Sequence, residues 1–226
     1  MMAMAIDWSD FFEPVILSAQ ISVVASVLVF VLATLLAWRM ARRRFIGKNA
    51  IDTILLLPLV LPPTVIGFFL LVLLGRRSWI GQAYEWLFEG PLVFTWISAI
   101  IAATVVAFPL AYRTFRAGFE SIDAELEDSA RALGATEWQV LRYISIPLAS
   151  RSLTSGYILG FCRGLGEFGA TIMVAGNIPG RTQTIPTAIY VATDGGNMRM
   201  AWAWAIAMIV LSFLMLLLSN HLTKDR

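Results

Sequence analysis

Arg163 and Glu167 stand four residues apart inside a strongly apolar stretch, the spacing at which two side chains on one helix meet. A lone charge at membrane depth costs at least about 3 kcal/mol on insertion scales. Two charges there imply either a mutual structural pair or direct participation in a path for a charged solute. Around them Gly156, Gly160 and Gly164 recur every four residues, with Gly166, Gly169 and Thr171 following. Small residues at that spacing let helix backbones approach closely, whether in packing within the chain, beside a pore or across a dimer. Pro58 and the Pro62-Pro63 pair interrupt another apolar stretch. Each proline removes a backbone donor and distorts the preceding turn. The carbonyls so freed need neighbours or a water-lined cavity. Such breaks either border a substrate path or serve as packing kinks. These residues leave two readings open, a path for a charged solute or purely structural packing.

Catalysis finds no support. Gly47-Lys48 is followed by Asn49, and Arg42 stands where a phosphate-binding loop needs its first glycine. ATP hydrolysis is therefore not expected of this chain, and no cofactor of its own is expected either. One cysteine, Cys162, excludes an internal disulfide and a cysteine-based metal cluster. The single histidine, His221, lies in the last six residues, so neither a Ser/His arrangement nor a His-based metal site is credible.

One long polar stretch, 127–148, separates two apolar segments. Leu126, Ala130 and Leu133 recur at helical spacing. Gly134 supplies a stop and Thr136 an N-cap for a second short helix. Pro147 is expected to forbid simple continuation, because the residue before a proline is pushed out of the α region. Two short amphipathic helices joined at Gly134 follow, in a loop over 123–147. Either they lie at the membrane surface, or they touch something soluble.

The elements that position these residues are read from composition. The chain is 58% hydrophobic and 14% charged, with mean hydropathy +0.75, well beyond a soluble domain. It reads as an all-α polytopic membrane protein, a single transmembrane domain over 1–226. About five helices are expected at 14–38, 50–74, 92–112, 153–175 and 201–222, each near the roughly 20 apolar residues that a crossing needs. The apolar segment 185–193 is too short and reads as partly buried or re-entrant. Arg39, Arg42, Arg43, Arg44 and Lys48 follow the first span. Arg113, Arg116, Arg131, Arg142 and Arg151 flank the third and fourth, and Lys224 and Arg226 end the chain. Arg76, Arg77, Arg181 and Arg199 fall on the other side. Basic residues mark the cytoplasmic face, which places the polar loop and C-terminus in the cytoplasm and the N-terminus outside. The first thirteen residues carry Asp7, Asp10 and Glu13 and no base, unlike the start of a cleaved signal peptide.

The polar loop resembles the EAA loop of ABC importer membrane subunits: Glu-Ala-Ala, a glycine, then aliphatic-x-aliphatic-Pro. Asp128-Ser129-Ala130 stands where Glu-Ala-Ala is usual, Gly134 comes six residues after Asp128, and Ile144-Ser145-Ile146-Pro147 closes the pattern. Asp and Ser are departures, and the preceding Glu127 can share the acidic role. The run from Arg163 to Thr171, Arg-Gly-Leu-Gly-Glu-Phe-Gly-Ala-Thr, resembles the molybdate permeases of bacterial ABC importers. So do the run from Gly176 to Tyr190, Leu57-Pro-Leu-Val-Leu-Pro-Pro63 with Gly67, and Leu74-Gly-Arg-Arg77 with Ile80-Gly81. Gly-Glu-Phe-Gly is shared with sulfate permeases; the Asn177-Ile-Pro-Gly run discriminates better, and the size favours the molybdate type.

The resemblance implies the type I importer permease fold in a bacterial inner membrane. It also implies a homodimer, two ABC ATPase subunits that hold ATP and Mg, and an extracytoplasmic molybdate-binding protein; nucleic acid has no part. It assigns ATPase coupling to Glu127, Asp128, Ser129, Ala130, Leu133, Gly134 and Ala135. Pro62, Pro63, Gly160, Arg163, Gly164, Glu167 and Thr171 are the candidates for the path or gate. Tungstate would share the route. The alternatives are a sulfate or thiosulfate permease, and a membrane scaffold or sensor that moves no solute.

Overall fold

Small residues on one stripe set how the longest helix packs. In α1 (Trp8–Arg42), Ser18, Ser22, Ala25, Ser26, Val29, Ala33 and Ala37 are buried at helical spacing. Val23, Val27, Leu28, Val31 and Leu32 on the other side are exposed. That contrast is an apolar outer face suited to lipid or to a second helical surface. The computed structural model describes residues 8–43 and 45–224. Asp7, Arg44 and Arg226, used above for orientation, lie outside the described residues.

The small stripe of α1 receives α5 (Trp96–Glu120) and α9 (Ser150–Leu165). α5 begins at a capping box in which Thr95 accepts from the Ser98 amide, which satisfies an otherwise orphaned donor. Its Ala99, Ala103, Ala107, Ala111 and Phe115 are fully or almost fully buried, so α5 is the central post. Side-chain clusters run along it, from Val29, Ala33, Tyr112 and Phe119 at one end to Ile21, Ala25, Ile100 and Ala175 at the other.

The remaining elements dress this core. α2 (Lys48–Val60) and α3 (Pro63–Leu74) meet at 113°, so the single helix expected over 50–74 is two. Leu61 is extended, with ψ 142, because a following proline ring excludes the α region. α4 (Trp79–Phe88) is short and exposes Trp79, Trp86, Leu87 and Phe88, the amphipathic aromatic pattern of a membrane interface. α6 (Ala124–Ala132), α7 (Glu137–Val140), a π-helical turn (Leu141–Ser145) and α8 (Ile146–Leu148) form the polar loop and its exit. The helix expected over 153–175 is α9 followed by α10 (Gly169–Val174), interrupted at Gly166, Glu167 and Phe168. α11 (Ile185–Asp194) is the short apolar segment, capped by Thr184 and Thr187 and accepted by α1, where Ser18 Oγ receives the Ile185 amide at 2.8 Å. α12 (Met198–Lys224) closes the order, with its Trp204 indole N–H donating to Phe11 O at 3.0 Å.

Among the described residues, α1, α5 and α12 are each long and apolar enough to cross a membrane, and the bent α2–α3 pair makes a fourth such unit. The described elements are all helical. Pro147 does not end the helix as expected. Ile146 sits in the α region with φ -62 and ψ -49, and the widened π turn before it makes room for the ring that would otherwise strike the preceding turn.

Candidate functional site

The polar loop is built on two caps and one glycine. Asp123 starts α6 by accepting from the Glu125 amide at 3.0 Å. Gly134 ends it at φ +89. The Ala135 amide closes back on Ala130 O at 3.0 Å, the geometry by which a left-handed residue satisfies terminal carbonyls. α7 opens at once on a capping box between Thr136 and Gln139.

The two faces of α6 differ sharply. Its inner face carries Glu127, only 1% exposed. Arg42, at the end of α1, lies 2.8 Å from that carboxylate and donates to Ile122 O at 3.1 Å. Ser145 in the π turn donates to Glu127 Oε1 at 2.7 Å. One buried carboxylate thus ties α1, α6 and the exit helix together. Asp128 beside it is 71% exposed. Arg131 joins Asp128 at 2.7 Å to Glu137 at 2.8 Å, bracing α6 against α7. The Arg131 hydrogen bond holds the Glu137 carboxyl below its ordinary pKa, and burial opposes it only in part.

The outer face is apolar and unpartnered. Leu126 is 51% exposed, Leu133 90%, Trp138 61% and Tyr143 68%. Ser129 and Gly134 are exposed beside them, and Ala130 and Ala135 are half-buried. Exposed apolar groups rimmed by polar ones suit either a docking partner or the membrane surface, the two readings that the sequence leaves open. Spacing singled out Glu127 and Asp128 together, whereas the structure parts them. From sequence, Arg42 is a topogenic charge that also replaces a phosphate-loop glycine, and Ser145 is part of the closing motif. Nothing in the sequence joins residues so distant.

Of the candidates within the bundle, Pro62, Pro63 and Glu167 lie at two helix breaks, and Gly160 and Gly164 lie inside α9. Pro62 precedes α3 and Pro63 begins it. A Cβ added at Gly169, the first residue of α10, would fall 2.9 Å from Pro63 Cβ. A Cβ at Gly67 would fall 2.7 Å from Met173 Cβ and 2.9 Å from Ala170 Cα. The two broken helices therefore abut at their breaks, with glycines allowing the contact. Thr171 is buried on α10. Arg163 donates to Glu167 Oε2 at 2.9 Å, and Glu167 Oε1 accepts the Ala170 amide at 2.8 Å, capping α10. Both carboxylate oxygens are engaged and the side chain is 1% exposed. The glycine stripe of α9 faces α5: Gly156 lies against Phe115, Gly160 against Ala111 and Val29, and Gly164 against Ala107 and Ala103.

A bundle with two broken helices meeting at their breaks, and a braced polar loop with an apolar outer face, matches known proteins. Residues 29–226 match the model of the family described as binding-protein-dependent transport system inner membrane component. The chain belongs to this family. YvgM of Bacillus subtilis (strain 168), named for a molybdenum transport system permease protein, is 54% identical over 94% of this chain and 93% of its own length. The molybdenum transport system permease protein ModB of Haemophilus influenzae (strain ATCC 51907 / DSM 11121 / KW20 / Rd) is 44% identical over 92% of this chain and 91% of its own. The sulfate transport system permease protein CysT of Escherichia coli (strain K12) is 35% identical over 88% of this chain and 72% of its own. Among solved structures, a bacterial ABC transporter that imports the acidic polysaccharide alginate superimposes with TM-score 0.75. That match covers 96% of this chain and 80% of the transporter chain at 18% identity, a likeness of fold alone. As a member of the family, the chain is a multi-pass membrane component of a binding-protein-dependent transport system.

Proposed function

We propose that the chain is the permease subunit of a molybdate importer, forming the passage for the oxyanion and admitting tungstate as well. The observation that carries this reading is the match over more than nine-tenths of the molybdenum permeases named above, against a shorter and weaker match to the sulfate permease. Two copies enclose the passage between them. An extracytoplasmic binding protein delivers the anion, and two ABC ATPase subunits hold ATP and Mg and dock on the outer face of α6 and α7. The permease itself needs no cofactor and catalyses nothing. Its N-terminus lies outside, and its C-terminus and polar loop lie in the cytoplasm of a bacterial inner membrane.

Mechanism follows from the bracing. Closing of the ATPase pair would draw the two α6–α7 loops together. Glu127 would carry that displacement into α1 through Arg42 and into α9 through the π turn. Of the path candidates, Pro62, Pro63 and Glu167 sit where α3 begins and α9 ends, so relative movement of the two helices would reshape the passage there, while Gly160 and Gly164 pack within the bundle. Uptake of labelled molybdate against labelled sulfate, in a strain lacking its own molybdate permease, tests the substrate. Restored molybdate uptake that excess sulfate leaves unaffected supports the reading; sulfate uptake in its place overturns it.

A further inference from the structure

A cavity of about 410 Å³ opens between the end of α1 and the inner face of α6. Trp38, Arg39, Arg42 and Arg43 line one side of it, and Glu127, Asp128, Arg131 and Glu137 line the other. The acids are already spoken for, since Arg42 holds Glu127 and Arg131 holds Asp128 and Glu137. The ion pairs among the described residues leave out Arg39 and Arg43, although Arg43 still acts on Glu137 through space. Trp38 is 9% exposed, and its indole N–H is buried with no hydrogen-bond partner among the described residues. The cavity's guanidiniums outside these ion pairs are therefore those of Arg39 and Arg43, both donors, as an anion requires.

We propose that this cavity holds the phosphate headgroup of an anionic phospholipid. Phe45 and Ile46, just past the arginines, expose 43% and 104% of their surface, and the outer face of α1 leading down to them is apolar. Apolar side chains immediately beside a basic cluster place this corner at the lipid–water boundary, where basic pockets between helices take up acidic headgroups. The site is distinct from the face proposed above for the ATPase, because the cavity is lined by the Ala124, Glu127, Asp128 and Arg131 stripe of α6, whereas Leu126 and Leu133 belong to the opposite one. A lipid wedged here would hold the end of α1 against α6 beside the Arg42–Glu127 contact. The proposal rests on the membrane reading above but is independent of which oxyanion is moved.

The test uses the full-length chain in nanodiscs of phosphatidylglycerol mixed with phosphatidylcholine, with retained lipid identified by native mass spectrometry. Phosphatidylglycerol should be retained selectively. Arg39→Gln with Arg43→Gln should weaken that retention roughly 25-fold, about fivefold for each arginine lost. Arg113→Gln with Arg151→Gln, which removes two exposed bases in α5 and α9, should leave it unchanged. Arg43→Gln alone, at an exposed position, decides the matter if the arginine pair is not recovered folded; retention about fivefold weaker is expected there. Equal retention by wild type and both cavity variants would overturn the proposal. So would displacement of the lipid by inorganic phosphate at equal concentration, because the site would then serve a free anion.

Discussion

Glu127 and Asp128 are neighbours in sequence and opposites in circumstance. Glu127 is buried against Arg42 and Ser145, whereas Asp128 pairs with Arg131 at the surface. Glu127→Gln would strand the Arg42 charge in a site where its side chain is 18% exposed, a loss of about 3 kcal/mol. Asp128→Asn should fall within about 1 kcal/mol of the parent. Thermal unfolding of the two detergent-solubilised variants checks this, and equal losses would contradict it. Arg163 and Glu167 offer a second comparison. Because Glu167 spends both oxygens inside the fold, losing either partner should lower the amount of folded protein. Arg163→Met with Glu167→Gln should largely restore expression and uptake; good expression with lost uptake would move Arg163 onto the path. The spacing of this pair was readable from the sequence. The separation of Glu127 from Asp128 was not, because it depends on Arg42, which reaches α6 only through the tertiary packing of α1.

The helices divide by how locally each is determined. α1, α5 and α12 were readable because an unbroken apolar run of sufficient length needs no tertiary information. Gly134 was readable as a turn for the same reason, and its φ of +89 is where a glycine is needed. The breaks were harder. Proline announced a distortion within 50–74 but not its 113° extent, and Gly166 to Phe168 gave no sign that Glu167 would cap a new helix. Pro147 signalled a stop that the π turn removes. The partner of the glycine stripe could not be read at all, since spacing fixes a face and leaves open what packs on it. The α3–α10 contact is where this matters most. Gly67→Ala would put a Cβ within 3 Å of Met173 Cβ and Ala170 Cα, overpacking that costs about 1–3 kcal/mol and forces the two breaks apart. Gly134→Ala meets no atom within 4 Å and bears only the left-handed backbone penalty, roughly 1–2 kcal/mol. Transport should therefore fall with the first and survive the second. Full uptake by a Gly67→Ala protein would remove the two breaks from the moving parts.

At the scale of the molecule, two surfaces and one interior contact stand apart. The outer faces of α1 and α12 are apolar, as lipid or a second copy requires, the α6–α7 face exposes Leu126, Leu133 and Trp138, and the abutting breaks lie within the bundle. On the function proposed above, ATP hydrolysed on a partner subunit would drive an anion through such an arrangement. The most direct test reconstitutes the chain in proteoliposomes with its ATPase subunit and binding protein, and follows accumulation of labelled molybdate against competing oxyanions. ATP-dependent accumulation that excess tungstate suppresses and excess sulfate does not is the predicted result. No accumulation from a fully assembled complex with active ATPase would contradict the account and leave a scaffold in its place.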